Sequence, residues 1–360
     1  MMKFLRVLLF PFSIIYGLII IIRNLLYDLN VLHSERFNLP LISIGNLVAG
    51  GTGKTPMTEY LIRLLKQDYR IATLSRGYGR KTKGFIIAAS NAKSILIGDE
   101  PKQYKFKYPD ITVSVCEKRT AGIQTLIKNY HPEIILLDDA FQHRSVVSGL
   151  SILLMEYRSI NSFDFMLPTG NLRELKSGKS RADIIIITKC PANLPLEDRE
   201  NIRKSLHIKE NQKIYFSFVE YLGLKRYDDT KSDFNRVLSL VDLKEYSIVV
   251  LSALANPKPL VNILKEIAKE VDSSFFSDHH YFTEKEIKDL AKRFNAINNS
   301  KKIILTTEKD LMRLIDIKPD VLALINPLYY LPIQTKFFEE DEKKFNDQIL
   351  KYVRDHKTNS

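Results

Sequence analysis

The sequence predicts an α/β fold: a mostly parallel sheet with helices on both faces, joined to a second, smaller α/β domain and preceded by an apolar helix. Three observations carry this. Short apolar, β-rich runs alternate with helix-like stretches from residue 33 onward, the pattern of a parallel sheet with crossover helices. The alternation restarts after residue 213. Ahead of both lies VLLFPFSIIYGLIIII, sixteen uncharged residues bounded by Lys3 and Arg6 on one side and Arg23 on the other. The expected division is 1–32, 33–213 and 214–360.

Sixteen helical residues reach about 24 Å, against a hydrocarbon core of about 30 Å. A helix inserted in one leaflet, or a short tilted anchor with snorkelling basic flanks, fits this better than a full span. A cleaved signal peptide shares the basic start and apolar centre, but a small-residue cleavage site is missing from this stretch.

In the first domain, strands are expected at 41–44, 70–75, 111–115, 134–137, 152–155 and 182–188. The first enters a loop holding Gly45, Gly50, Gly51 and Gly53, followed by Lys54, Thr55 and Pro56. Glycines free backbone N–H groups to face phosphate oxygens, and the helix opening at Pro56 turns its positive end to the same anion. Gly50, Gly51, Thr52, Gly53, Lys54 and Thr55 thus form a phosphate cradle, with Lys54 for the β- and γ-phosphates and the Thr55 hydroxyl for Mg²⁺. The domain is therefore P-loop NTPase-like. One position departs from the strict pattern: Val48 stands where it wants glycine.

In such a sheet the ligand lies beyond the carboxyl ends of the strands. Arg76 follows the second strand in RGYGR, where an arginine in a glycine-rich turn suits a phosphorylated ligand; a solvated basic turn is the alternative. Asp99 and Glu100 precede Pro101, which is expected to hold the pair in a loop for metal or catalytic duty. Arg119, after the third strand, is a candidate phosphate clamp. The fourth ends in Asp138-Asp139, an apolar strand delivering carboxylates to Mg²⁺, followed by Gln142 and His143. Arg173 and Glu174 stand side by side in PTGNLRE. After Thr188-Lys189, Pro191 occupies the position where a guanine-reading motif needs an acid, so guanine selectivity is unsupported.

The second domain is expected to hold strands at 213–219, 246–251, 303–307 and 321–325, with a loop at 226–234. Its conspicuous segment is Asp278-His279-His280; neutral imidazole accepts or orients protons near pH 7. From Glu339, the spacing of Phe345, Ile349, Leu350 and Val353 predicts a helix that covers a core.

The charge of +12 calls for an acidic partner. No helix-turn-helix, zinc-finger or RNP pattern points to nucleic acid, and no obligatory protein partner is implied. Cys116 and Cys190 lack metal-ligand spacing and read as reduced thiols.

Taken together and in order, GNLVAGGTGKTP, LSRGYGR, GDEP, DDAFQHR, TGNLRE, DHH and TTEKD, behind an apolar amino terminus, resemble the tetraacyldisaccharide 4′-kinases, the lipid A 4′-kinases of Gram-negative bacteria. That family's phosphate loop has the same irregular form. The resemblance implies transfer of the ATP γ-phosphoryl group to the 4′-hydroxyl of an acylated glucosamine disaccharide 1-phosphate at the cytoplasmic face of the inner membrane. It also implies Lys54 and Thr55 on phosphates and Mg²⁺, with Glu100, Asp138 and Asp139 in the metal environment. Asp99 becomes the general base, assisted by His279, preferred to His280 because it follows Asp278 directly. Arg76, Arg119, Gln142, His143, Arg173 and Glu174 are expected around nucleotide and substrate, with domain closure completing the site.

Overall fold

A computed structural model describes residue 6 and residues 8–227, 237–254 and 256–358. The loop expected at 226–234 falls largely outside the described residues. Helix α1 (Phe10–Asp28) runs past the uncharged stretch that predicts it. Its nineteen residues reach about 28 Å. Large apolar side chains along it, among them Phe12, Ile15, Leu18, Ile19 and Ile22, stand exposed.

The first sheet is built from β1 (Leu41–Asn46), α2 (Lys54–Leu65), β2 (Ile71–Ser75), β3 (Ile86–Ile87), α3 (Asp99–Lys107), β4 (Thr112–Val115), α4 (Arg119–Tyr130), β5 (Ile134–Asp138), β6 (Leu150–Glu156), β7 (Ile184–Thr188), α5 (Leu196–Ser205) and β8 (Lys213–Tyr221). Strands β8, β7, β6, β1, β5, β2 and β4 lie side by side and parallel, with β3 antiparallel at one edge. Successive strand residues point to opposite faces. On β5, Ile134 and Leu136 pack with Met57 and Leu61 of α2, while Ile135 and Leu137 pack with Ile123 and Leu126 of α4. Burial on both faces explains the unbroken apolar runs.

The second sheet contains β9 (Leu224–Arg226), β10 (Val237–Leu238), β11 (Ser247–Ser252), α6 (Lys258–Ile267), β12 (Glu270–Phe275), α7 (Glu284–Asn295), β13 (Lys302–Thr307), α8 (Glu308–Leu314) and β14 (Leu328–Leu331), in the order β10-β9-β14-β13-β11-β12. The chain then returns to the first sheet: β15 (Ile333–Phe337) pairs antiparallel with β8, and α9 (Glu339–Thr358) buries Phe345, Ile349 and Val353 against the first core.

This topology moves the expected boundary at 213. Strand β8 closes the first sheet instead of opening the second domain, and the last two elements belong to the first unit. An antiparallel edge strand needs no crossover helix, so the chain can come back across Pro332 alone. The two crossings lie together, with the Leu222 amide donating to the Pro332 carbonyl at 3.0 Å.

Two further corrections are local. Residues 321–325 are helical turns, not a strand; the strand is β14, just beyond. Pro101 does not hold Asp99 and Glu100 in a loop: all three open α3, where proline's missing N–H has no intrahelical partner to lose.

Gly45 lies within β1, and a Cβ there would come within 2.6 Å of the Phe141 Cβ and 2.8 Å of its amide nitrogen. This glycine serves strand packing, not the phosphate loop. Gly45→Ala is expected to cost about 1–3 kcal/mol, as overpacking does. Urea unfolding reads this directly; an unchanged midpoint would mean that the Phe141 segment yields freely.

Candidate active site

The phosphate loop leaves β1 at Asn46. Val48 pairs with Leu172 in an isolated β-bridge, Ala49 donates to the Asn171 carbonyl, and the Arg173 amide donates to the Leu47 carbonyl. The strand-like pairing at Val48 removes any need for glycine there, which accounts for the irregular motif. The turn comes later, where Gly50 and Gly53 adopt φ of 120° and 92°. A Cβ at Gly50 or Gly51 would meet nothing within 4 Å, so the backbone faces open space. Thr52 turns inward, its hydroxyl 2.7 Å from the Asn46 amide nitrogen and its carbonyl accepting from Thr188. Lys54 and Thr55 then begin α2, whose positive end faces the loop.

Strand β5 runs beside β1 with Asp138 opposite Ile44. Asp138 is 5% exposed; Tyr104 donates to one carboxylate oxygen at 3.0 Å, and the other has no partner among the described residues. Burial first, then neighbouring Asp139, pushes its carboxyl up to about 6. Asp139 adopts φ of 49° and receives Arg173 at 2.7 Å and Lys54 at 3.8 Å. Burial raises the Asp139 carboxyl, but Lys54 and Arg173 outweigh it and hold the group below its ordinary value.

The second face of the cleft comes from α3 and the second sheet. Asp99 is 2% exposed and receives the Arg313 Nε at 3.0 Å, the Arg313 Nη2 at 2.5 Å and the His279 Nδ1 at 3.0 Å. Burial raises the Asp99 carboxyl, yet hydrogen bonds from His279 and Arg313 bring it below its usual value. His279 holds φ of 60° and meets the Lys309 ammonium at 3.2 Å through Nε2. An ammonium only donates, so Nε2 accepts and Nδ1–H points at Asp99. Lys309 also pairs with Glu100 at 3.0 Å. His280 is turned away, bonded to Glu286 and stacked on Phe276. The histidine beside Asp99 is therefore His279, and the contact expected from closure is already made.

Three expected ligand contacts are differently engaged. Arg119 is 1% exposed, one Nη 2.5 Å from the Cys116 carbonyl and the other 3.4 Å from that of Asp138. It braces two strand ends instead of offering a fork to phosphate. Glu174 is buried, its oxygens occupied by Arg181, Gln142 and Asn24. Gln142 also donates to the Asn46 carbonyl, so it fastens the start of the loop. Of the side-by-side pair in TGNLRE, Arg173 alone faces the acids. Burial, with Arg119 adding to it, lowers His143 to about 4 and keeps its imidazole neutral. Arg76 is exposed at the end of β2.

Arg313 and Lys309 were missing from the expected site. Lys309 lies within TTEKD and Arg313 three residues beyond it, both just past the carboxyl end of β13, so inspecting the second sheet's strand ends by the rule used for the first would have found them.

The residues fit a nucleotide with its metal. A glycine loop facing open space lies beside a buried carboxylate oxygen lacking a donor and a hydroxyl at the helix start. No group of three or more His, Cys, Asp or Glu suited to a metal occurs among the described residues; Mg²⁺ characteristically takes one or two carboxylates and completes its shell with phosphate and water.

The family model described as tetraacyldisaccharide-1-P 4′-kinase matches residues 5–354. A tetraacyldisaccharide 4′-kinase of Flavobacterium johnsoniae is 44% identical over 356 residues, covering 99% of each chain. One of Bacteroides thetaiotaomicron is 42% identical, covering 98% of this chain and 94% of the relative. The crystal structure of LpxK from Aquifex aeolicus in complex with ATP superposes with a TM-score of 0.74 at 30% identity, covering 97% of this chain and 99% of that one. This chain belongs to the tetraacyldisaccharide-1-P 4′-kinase family.

Proposed function

We propose that this protein transfers the γ-phosphoryl group of ATP to the 4′-hydroxyl of a tetraacylated glucosamine disaccharide 1-phosphate, the step its family is named for, at the cytoplasmic face of the inner membrane. The observation that carries this is one cleft, in a chain of that family, holding a phosphate loop, an acid pair and a carboxylate–imidazole pair. Phosphoryl transfer asks a protein mainly for positioning and charge neutralisation. The loop amides and Lys54 hold the β- and γ-phosphates. Arg173 and Lys54 set the position of Asp139. Thr55 and Asp138 hold Mg²⁺, aided by Asp139 and Glu100, and the ion supplies charge neutralisation on the phosphates. Asp99 takes the proton of the attacking hydroxyl, with His279 orienting it and presenting the more exposed edge to the cleft. Arg76, just past β2, and His143, a few residues past β5, contribute to nucleotide and sugar contact from the same carboxyl end of the sheet.

The lipid end of the substrate is served by α1. Its polar stripe ties it to the site: Ser13 bonds Thr169 at 2.8 Å, Tyr16 the Arg173 carbonyl at 3.0 Å, and Arg23 the Gln142 carbonyl at 3.0 Å. The remaining faces are apolar and exposed, suited to acyl chains and a bilayer.

The test is transfer of labelled γ-phosphate from ATP to a detergent-dispersed acylated glucosamine disaccharide 1-phosphate. Lys54→Ala is expected to reduce labelling by about 10²- to 10³-fold, the usual loss of one electrostatic contact to a transition state. ATP consumption without labelled lipid in the wild type would reject the assignment.

A further inference from the structure

The segment that follows β6 carries an aromatic ring with no evident place in a water-soluble surface. Phe163 is 83% exposed. It stands at the tip of a turn with many internal ties. Asp164 accepts from the amides of Phe165 and Asn171 at 2.9 and 3.2 Å and from the Asn171 side chain at 3.1 Å. Lys176 donates to the carbonyls of Ile160 and Ser162 at 3.2 and 2.6 Å. The turn is thus held in a shape that projects the ring outward. The ring is also continuous with the exposed apolar face of α1: Phe163 meets Phe165 edge-on at 5.0 Å, and Phe165 meets Phe10 edge-on at 5.4 Å. Exposed Arg158 precedes the turn, and the chain carries a charge of +12.

We propose that loop 160–165 is a second lipid-contacting element, which seats Phe163 in the interfacial region of an anionic bilayer beside the first turn of α1. This rests on reading α1 as a membrane helix. A lone helix held by a polar stripe can roll or tilt in the interface. A second aromatic contact at one end fixes its rotation, and hence the direction in which the strand-end cleft faces the lipid headgroups. Lipid is favoured over a second copy of the chain because the patch continues the exposed apolar surface of α1 and because exposed Arg158 at its base and the net charge of +12 suit anionic headgroups.

The protein has no tryptophan, so a single substitution creates a unique fluorophore. Full-length Phe163→Trp, Phe12→Trp and, as a control at the amino end of the sheet, Tyr130→Trp are titrated with vesicles of phosphatidylethanolamine and phosphatidylglycerol. Emission of Phe163→Trp and Phe12→Trp is expected to shift to the blue and become shielded from acrylamide, with Tyr130→Trp unchanged. Phe163→Ser is expected to weaken vesicle partitioning about tenfold or more, the range for withdrawing one buried aromatic side chain, while turnover on detergent-dispersed substrate is unchanged. A shift at Phe12→Trp with Phe163→Trp behaving like the control overturns the proposal and leaves the membrane reading standing. No shift at either overturns both. A blue shift of Phe163→Trp on concentration alone, without vesicles, assigns the patch to a second copy and overturns the lipid contact.

Discussion

Asp99→Asn is expected to lower phosphoryl transfer by about 10²- to 10⁴-fold, the span associated with a general base, with the KM for ATP nearly unchanged. The separation of the two effects follows from placement. Asp99 opens α3, whereas the phosphate contacts proposed above come from the loop between β1 and α2. Asparagine keeps the shape but cannot take a proton. Three donors hold the Asp99 carboxyl below its ordinary value, so it is ionised throughout the neutral range and is a modest base. A loose transition state tolerates this, because the hydroxyl becomes acidic only as the new bond forms. The limb that Asp99 sets in kcat/KM should accordingly lie in the acid range, beneath the step that Asp138 adds at about 6. Single-turnover rates across pH provide the measurement, and wild-type turnover in Asp99→Asn would sink the role.

Arg313→Met is expected to lower stability by about 3–5 kcal/mol, the cost of leaving buried charge without its partner. Arg313 has a fully buried side chain, bridges Asp99 and Asp310, and donates to the His280 carbonyl at 3.2 Å. Methionine fills much of the volume but strands Asp99 beside His279 alone. The sign for pH follows. In the wild type the depressed Asp99 carboxyl stabilises the fold at neutral pH, and this contribution is lost as pH falls through and below the ordinary carboxylate range. Without Arg313, Asp99 titrates higher, so both the loss of stability and the acid limb of the rate move up in pH. Urea unfolding and the pH profile test this together. A stable variant with an unmoved acid limb would show that Arg313 does not position Asp99.

Much of the first unit was legible because its signals are local. An apolar run buried on both faces, a glycine loop and a helix start occupy adjacent residues, so β1, the loop and α2 could be read directly, as could β5 with its acids. The α9 stripe of Phe345, Ile349 and Val353 marked a buried helix, although only the fold assigned it to the first sheet. The missed elements have weaker local signatures. Strand β12 is a partly exposed edge strand with Glu270 and Asp272, and β15 is an edge strand five residues long. Pro101 misled because proline disfavours a helix at the residue before it yet is accepted in a first turn; which applies depends on where the helix begins.

By itself, the sequence determined which chemistry is possible: a lysine and a hydroxyl at a helix start, acids at a strand end, a histidine doublet, and an apolar helix with basic flanks. Tertiary structure alone decided which of these groups meet. Asp99 joins His279 and Arg313 across 180 and 214 residues of chain, contacts that depend on how two sheets are placed by the paired crossings at Leu222 and Pro332. It also buried Arg119 and Glu174 and gave them partners within the protein, because charged side chains that read alike in sequence differ in burial and in the groups that hold them. Local propensity acts over a few residues. Charge pairing across a cleft is set by sheet order.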